Sequence, residues 1–519
     1  MKAKTKKRLK KALKTILCVL LVLVGLAGAG LGAGAVLLAV RGVVLTVDTE
    51  QRYQTIDGFG ASAAWTAQSL GLEDDESIHQ AAKKLYGKDE LGLTIFRYNI
   101  GAGSSEEQFD DIVPYSNGWF DSERRAESFF VADRYSSPAS FADAANYDFT
   151  RDAAAQKFLY ACLEEGELER IVLFSNSPHY LMTVSGKTTG EVIDQTNLRE
   201  DCYEAFCDYL FIIAKHFRDT LAEKGYTPEI VISPLNEPQW KWGGPDASQE
   251  GCHMDPEALA AFMDVFLTKL EQFNKENGLE LKGDFLESGN YVLPFEKKKI
   301  SDYLSLMDDY ESFKALTSIS VHDYKTNDSK LLRYIFKAYM QLKYPDLAIV
   351  PTELCELEAG RFDTMESGLF LGKVVSRDFT ILDAPEWSWW LAVSRGDYND
   401  GLVYWDKTQD GGNVFSVLKR YYVLRHFTNY LDTGDVRVGL KNTDILNLAN
   451  IDFSAYEKPD GTLVYILINN GKERELTLDG VGQAIAVTTD ESANLREYSI
   501  TDGKITLPSM SITTVVVEK

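Results

Sequence analysis

EIVISPLNEPQW (229–240) is an apolar, β-branched run that stops abruptly at Asn236-Glu237-Pro238. Ile and Val favour a pleated strand, and a proline at the exit blocks its continuation. The segment therefore reads as a buried strand with a glutamate at its C-terminal end. The pattern recurs on both sides. IDGFGAS (56–62), LTIFRYNIG (93–101) and RIVLFSNS (170–177) precede it. LKGDFLES (281–288), LTSISVHDY (316–324), LAIVPTELC (347–355) and DGLVYWD (400–406) follow. Amphipathic stretches at 151–165, 200–224, 256–277 and 366–378 lie between them. Strands apolar nearly throughout, joined by helical crossovers, indicate a parallel sheet covered on both faces. Eight of them fit an α/β fold of the (β/α)8 TIM-barrel type. The rival, a doubly wound open sheet, usually carries a glycine-rich phosphate loop, and no GxGxxG or P-loop motif occurs here.

From about residue 432 the character changes to short strand-like runs such as TLVYILINNG, ERELTLDG and KITLPSMSITTVVVE. PDG (459–461), NNG (469–471) and DG (502–503) are hairpin signals between or beside them. This reads as an antiparallel β-sandwich at the side of the barrel, to which VVLTVDT (43–49) adds a strand from the other end of the chain. The expected division is thus 1–41, a barrel over 42–431 and a sandwich over 432–519. All eight tryptophans fall between 65 and 405, which assigns ligand contact to the barrel and support to the sandwich.

Residues 1–14 hold eight basic groups and no acid, and residues 15–40 are uncharged. A run of that length can cross a bilayer. Basic residues before it predict a cytoplasmic N-terminus and export of everything after Arg41. The expectation is a membrane anchor, with a cleaved signal peptide as the alternative, and an extracellular or cell-surface location in either case. The net charge of −24 conceals a still more acidic remainder, which would repel phosphate backbones and argues against nucleic acid as a partner. The six cysteines (18, 162, 202, 207, 252, 355) form no CxxC pair, and the six histidines form no HExxH pattern. Mostly free thiols, no metal and no cofactor are expected.

The chemistry resides in two carboxylates. Hydrolysis of a glycosidic bond needs a proton donor for the leaving oxygen and, for retention, a second carboxylate that attacks the anomeric carbon. In a TIM barrel such groups stand at the C-terminal ends of strands. Glu237 ends the fourth predicted strand and Glu353, in VPTELCEL, ends the seventh. Glu356 and Glu358 compete with Glu353 but fall beyond the apolar run, in the following loop. An ionised Glu353 disfavours ionisation of Glu237, which then keeps the proton it donates. Asn236 is placed to hydrogen-bond a sugar 2-hydroxyl, and Arg97 at the second strand's end to hold a catalytic carboxylate ionised. His322 and Tyr324 end the sixth strand, where the tyrosine hydroxyl is suited to donate to Glu353. Asn176 is a candidate for sugar hydroxyls. Trp65, Trp240, Trp242 and Trp405 are candidate platforms for the apolar face of a sugar ring, against core packing as the ordinary fate of tryptophan.

IDGFGASAAWTA (56–67), FRYNIGAGS (96–104), FSNSPHYLM (174–182), SPLNEPQW (233–240) and PTELCEL (351–357) resemble glycoside hydrolase family 30. WSWWLAVSRGDYNDGLVYWD (387–406) and YYVLRHFTNYLDTGDVRV (421–438) follow in that family's order. The resemblance covers roughly residues 45–519. It implies a (β/α)8 barrel with a side sandwich built partly from N-terminal strands, and cleavage with retention. It also implies Glu237 as acid/base and Glu353 as nucleophile. FSNSPHYLM and NEPQW followed by QEGCHM look most like the endo-β-1,6-galactanase members. Glucuronoxylan, β-1,6-glucan and glucosylceramide-like substrates are the alternatives. A reading of another class, a cell-surface glycan-binding protein without catalysis, keeps the groove but has no use for both glutamates.

Overall fold

In a computed structural model the described residues are 43–105, 124–133, 136–244, 247–292, 300–327, 329–442 and 450–518. The N-terminal anchor or signal expectation falls on residues outside this set. Among the described residues no helix is long and apolar enough to cross a membrane.

The barrel strands in order are Gly58–Ser62, Ile95–Ile100, Arg170–Ser175, Glu229–Ser233, Lys282–Gly283, Ser318–His322, Ala348–Glu353 and Glu386–Ser394. Strands one to five pair in parallel, as do six and seven. The fifth is only two residues long, so its link to the sixth runs through single bonds, Ser320 N–H to Phe285 O at 2.9 Å and His322 N–H to Ser288 O at 2.7 Å. Trp390 N–H to Leu354 O (2.8 Å) joins seven to eight, and Gly58 to Glu386 pairing closes the ring.

The eighth strand corrects the sequence reading. It is EWSWWLAVS (386–394), whereas the expected DGLVYWD forms Gly401–Lys407, which pairs in parallel with its far half and turns back in a hairpin with Asn413–Val417. Both runs are apolar and β-rich, and only the register shows which one closes the barrel.

The crossover helices begin with conventional signals: Asp74 accepts the Ser77 N–H at 2.9 Å, Pro256 opens Pro256–Asn277, and Gly278 ends it at φ 64°. Their apolar faces and the strands form one continuous core that includes Leu85, Phe158, Phe206, Phe266, Leu369 and Trp387. Full burial of each such aliphatic or aromatic side chain contributes roughly 1.5–3 kcal/mol.

The sandwich uses both ends of the chain. Its sheet runs from Arg496–Thr501 through Leu463–Asn469 and Val436–Asn442 to the N-terminal strand Val43–Thr55, then Arg474–Leu478 and Lys504–Leu507. Val43–Leu45 pairs in parallel with Leu476–Leu478, a departure from the expected antiparallel sheet, while the rest of that strand pairs antiparallel with Val436–Asn442. Among the expected hairpins, PDG joins the paired strands Ile451–Glu457 and Leu463–Asn469. Asp502-Gly503, with φ of 53° and 60°, instead carries the chain between strands that do not pair with each other.

Two helices dock the sandwich on the barrel. Gly372 in Met365–Arg377 lets Val423 of Lys419–Thr428 and Ile468 of the sandwich approach; a Cβ there would stand 2.9 Å from a Val423 methyl. His426 is buried between Thr514 and Thr489, each hydroxyl 2.9 Å from a ring nitrogen. The described cysteines, 162, 202, 207, 252 and 355, are free and buried.

Candidate active site

The C-terminal ends of the barrel strands carry a buried cluster of charge. Glu237 follows the fourth strand in a left-handed backbone conformation, φ 46°, uncommon for a residue with a side chain and frequent at functional sites. Glu353 is the last residue of the seventh strand. Both are nearly buried, at 7% and 5% exposure. An oxygen of one carboxylate lies within 4.8 Å of an oxygen of the other.

Arg97, fully buried at the second strand, donates from Nη1 to Glu353 Oε2 at 3.0 Å. The Tyr324 hydroxyl donates to Glu353 Oε1 at 3.2 Å. His322 Nδ1 lies 2.9 Å from Glu237 Oε1 and 3.6 Å from Glu353 Oε1. Its Nε2 lies 2.5 Å from Glu287 Oε2. Burial alone would lower the His322 pKa, but the negative charges of Glu353, Glu237 and Glu287 outweigh it and raise it to about 10, so the ring is an imidazolium near neutrality. Burial opposes charge on Glu287 as well, yet Arg97 and His322 hold it well below the usual carboxylate range. For Glu353 burial prevails and raises the carboxyl, with His322 and Arg97 pulling the other way.

Above these groups lies an open cleft of about 1280 Å³, walled by Trp65, Trp240, Trp242, Tyr324, Trp390 and Tyr398. Trp242 Nε1 donates to the Glu237 carbonyl at 2.8 Å. Trp240 fills the space opposite Gly289, where a Cβ would stand 2.0 Å from Trp240 Nε1 and 2.6 Å from Glu237 Oε1. Lys325 stands over the Trp240 ring at 4.5 Å. Trp65 packs edge-on against Trp390 at 5.3 Å.

Of the residues expected at the site, the structure brings Glu237, Glu353, Asn236, Trp65, Trp240 and Tyr324 to the cleft, with Arg97 and His322 directly beneath. Asn176 lies lower, buried, its amide donating to Asn99 Oδ1 at 2.9 Å. Trp405 is a correction. It is 2% exposed in the strand outside the barrel ring and donates to Asn413 at 2.7 Å, packed as core rather than offered to a sugar. The rivals for the nucleophile also separate. Glu356 is tied to Arg420 at 2.9 Å, Ser367 at 2.5 Å and Asn399 at 2.9 Å, and Glu358 lies at the exposed rim.

Two acidic residues went unread. Glu287 is the next-to-last residue of LKGDFLES, one glutamate among 78 acidic residues with no motif around it. Glu250, in QEGCHM, is fully buried and accepts the backbone N–H groups of Ala102 and Ser104, at 3.2 and 3.3 Å, fixing the loop after the second strand.

Glu237, His322 and Glu353 also offer three ligand atoms close enough for a metal ion. Both nitrogens of His322 already face carboxylates, and an ion there would have to displace the ring proton and its contact with Glu237.

A barrel that buries two facing glutamates at the fourth and seventh strand ends, under an aromatic cleft, defines a glycosidase. Residues 42–404 match O-Glycosyl hydrolase family 30, and residues 434–515 match the Glycosyl hydrolase family 30 beta sandwich domain. The chain belongs to glycoside hydrolase family 30. It is 25% identical over 443 residues to an endo-beta-1,6-galactanase of Hypocrea rufa, covering 84% of this chain and 83% of that one. A conserved exported protein from Bacteroides fragilis superposes with a TM-score of 0.76 at 24% identity, over 91% of this chain and 100% of that one. The catalytic domain of GH30 xylanase C from Talaromyces cellulolyticus superposes at 0.66 and 17% identity, over 92% and 100%. At these identities the structural likenesses establish the fold.

Proposed function

We propose that this glycosidase cleaves β-1,6-linked galactan internally and with retention, through a covalent glycosyl-enzyme. The observation that carries the mechanism is the reach between Glu237 and Glu353, whose nearest oxygens lie within 4.8 Å. Retaining enzymes hold the two carboxyl groups about 5–5.5 Å apart, and inverting ones roughly 6.5–9.5 Å to admit a water. Glu353 attacks the anomeric carbon while Arg97 and Tyr324 hold its two oxygens. Glu237 protonates the leaving oxygen and then takes a proton from the water that releases the sugar. The open cleft exceeds the roughly 300–1,000 Å³ of small-ligand pockets, which supports a polymer over a single sugar. The galactanase relative supports the linkage. The uncharged run after a basic N-terminus supports export, with an anchored or secreted enzyme at the cell surface.

The test is hydrolysis of β-1,6-galactan, glucuronoxylan and β-1,6-glucan by the chain and by its Glu237→Gln and Glu353→Gln variants. Galactan cut to oligomers, with loss in both variants, is expected. Cleavage of another polymer replaces the substrate. Binding of a glycan with no cleavage by the intact chain removes the catalytic assignment.

A further inference from the structure

Glu287 is a buried carboxylate that the double displacement does not use. It is 1% exposed and accepts from Arg97 Nη2 at 3.4 Å, Ser233 Oγ at 3.1 Å, Thr352 Oγ1 at 2.7 Å and His322 Nε2 at 2.5 Å. Its two cationic partners are the same two that reach the reacting pair, Arg97 on Glu353 and His322 on Glu237. Its main-chain carbonyl also accepts the Glu237 N–H at 3.0 Å. The chain is bent to achieve this, with Leu286 at φ 120° and Glu287 at φ 43°, conformations that side chains other than glycine's rarely adopt.

We propose that Glu287 is a positioning residue that sets the charge of the site, holding His322 as an imidazolium and leaving one proton to the Glu237–Glu353 pair. This rests on the roles given above to that pair. The double displacement starts with Glu353 as the attacking anion and Glu237 as the proton donor, a state in which two anions (Glu287, Glu353) face two cations (Arg97, His322). In the first step a Glu353 oxygen bonds to the anomeric carbon and the glycosidic C–O bond breaks. Its electron pair goes to the leaving oxygen, which takes the Glu237 proton. Glu353 is now an uncharged ester and Glu237 an anion, so the cluster is again balanced. Water then attacks, gives its proton to Glu237, and the ester electrons return to Glu353. Without the charge of Glu287 every one of these states would bury an uncompensated positive charge, which a site of this depth relieves by shedding a proton.

The surroundings leave this role to Glu287. Asp284, just past the end of the fifth strand, is raised to about 7 by burial and by Glu287, and takes the Ser320 hydroxyl at 2.5 Å. It holds its own proton below neutrality. Asp323, next to His322, faces away, toward the Tyr291 hydroxyl and Arg333 Nη2, the latter at 3.4 Å. Tyr324, held neutral by burial, faces Glu353. The raised His322 and the lowered Glu287 agree with the arrangement.

The test reads His322 directly, by nitrogen NMR of histidine-labelled full-length protein, with the signal assigned by its loss in His322→Gln. In the wild type the ring stays protonated past pH 9. Glu287→Gln lowers its midpoint by about 1–3 units, the usual effect of one charge at this range. It also moves the alkaline limb of kcat/KM on β-1,6-galactan to lower pH, and Glu287→Asp recovers most of both. A wild-type ring that titrates near 6.5 overturns the proposal without any variant, which covers a Glu287→Gln chain that fails to fold. So does a Glu287→Gln protein with an unmoved histidine, or a moved histidine with an unmoved alkaline limb. If the wild type cuts none of the β-glycans, the substrate reading falls and the NMR titration still decides the role of Glu287.

Discussion

Glu237 and Glu353 stand in different company, and the difference is testable one residue at a time. Glu353 is clasped by a guanidinium and a phenol, while Glu237 has one partner ring and an open side toward the cleft. General acid help is worth roughly 10²–10⁴ in rate, and it matters most when the leaving group is a poor one. On the roles proposed above, Glu237→Gln should therefore lower kcat on the polysaccharide substrate by about that factor and spare the first step on a dinitrophenyl glycoside, measured as the burst of phenolate. Glu353→Gln should abolish both. These two residues were legible because Asn-Glu-Pro and Pro-Thr-Glu each end an apolar run, so strand ends could be counted along the chain. Glu287 was not. Its strand is two residues long and its role exists only through Arg97 and His322, which come from other strands. Trp405 shows the reverse failure, since a strand-end tryptophan looks the same in sequence whether it meets a sugar or Asn413.

At the scale of elements, the loops after strands four and five are fitted to each other. The Glu237 N–H is bonded to Glu287, and Trp240 fills the hollow left by Gly289. Gly289→Ala should push the indole and the Glu237 carboxylate apart. A misplacement of about 1 Å costs on the order of 10²-fold in rate, so kcat/KM should fall by roughly that amount with the circular dichroism spectrum unchanged. The loop after strand seven has a different anchor. Arg420, fully buried, meets Glu356 at 2.9 Å, and removing one partner of a buried pair costs about 3–5 kcal/mol. Glu356→Ala should lower the urea midpoint accordingly, an outcome a solvated loop residue would not produce. Helices were read well because their period and caps are local. The eighth strand was misplaced because EWSWWLAVS and GLVYWDK carry the same local signal and differ only in which neighbours they meet. Asp502-Gly503 likewise announced a turn without announcing its partners.

At the scale of the whole molecule, a buried histidine ties stability to pH. Burial lowers the His426 pKa to about 3, against an ordinary value near 6.5. Between those two values the unfolded chain binds a proton that the folded one refuses. The resulting contribution to stability is complete above about pH 6.5 and is lost as the pH falls toward 3. The melting temperature should decline over that window. His426→Gln, which keeps a donor and an acceptor for Thr514 and Thr489, should make the decline shallower. The barrel and its companion sandwich were legible at this scale because a change of period near residue 432 is visible without any contact, and so was the contribution of VVLTVDT. That last strand has a kinetic meaning. Leu45 is paired with Asn442, and Val43 with Leu476, so the earliest strand among the described residues is among the last to find its neighbours. Synthesis at roughly 5–20 residues per second leaves it waiting tens of seconds as an unsatisfied edge, the kind of surface that recruits other chains. Loop closure over most of the polypeptide therefore precedes completion of the sandwich.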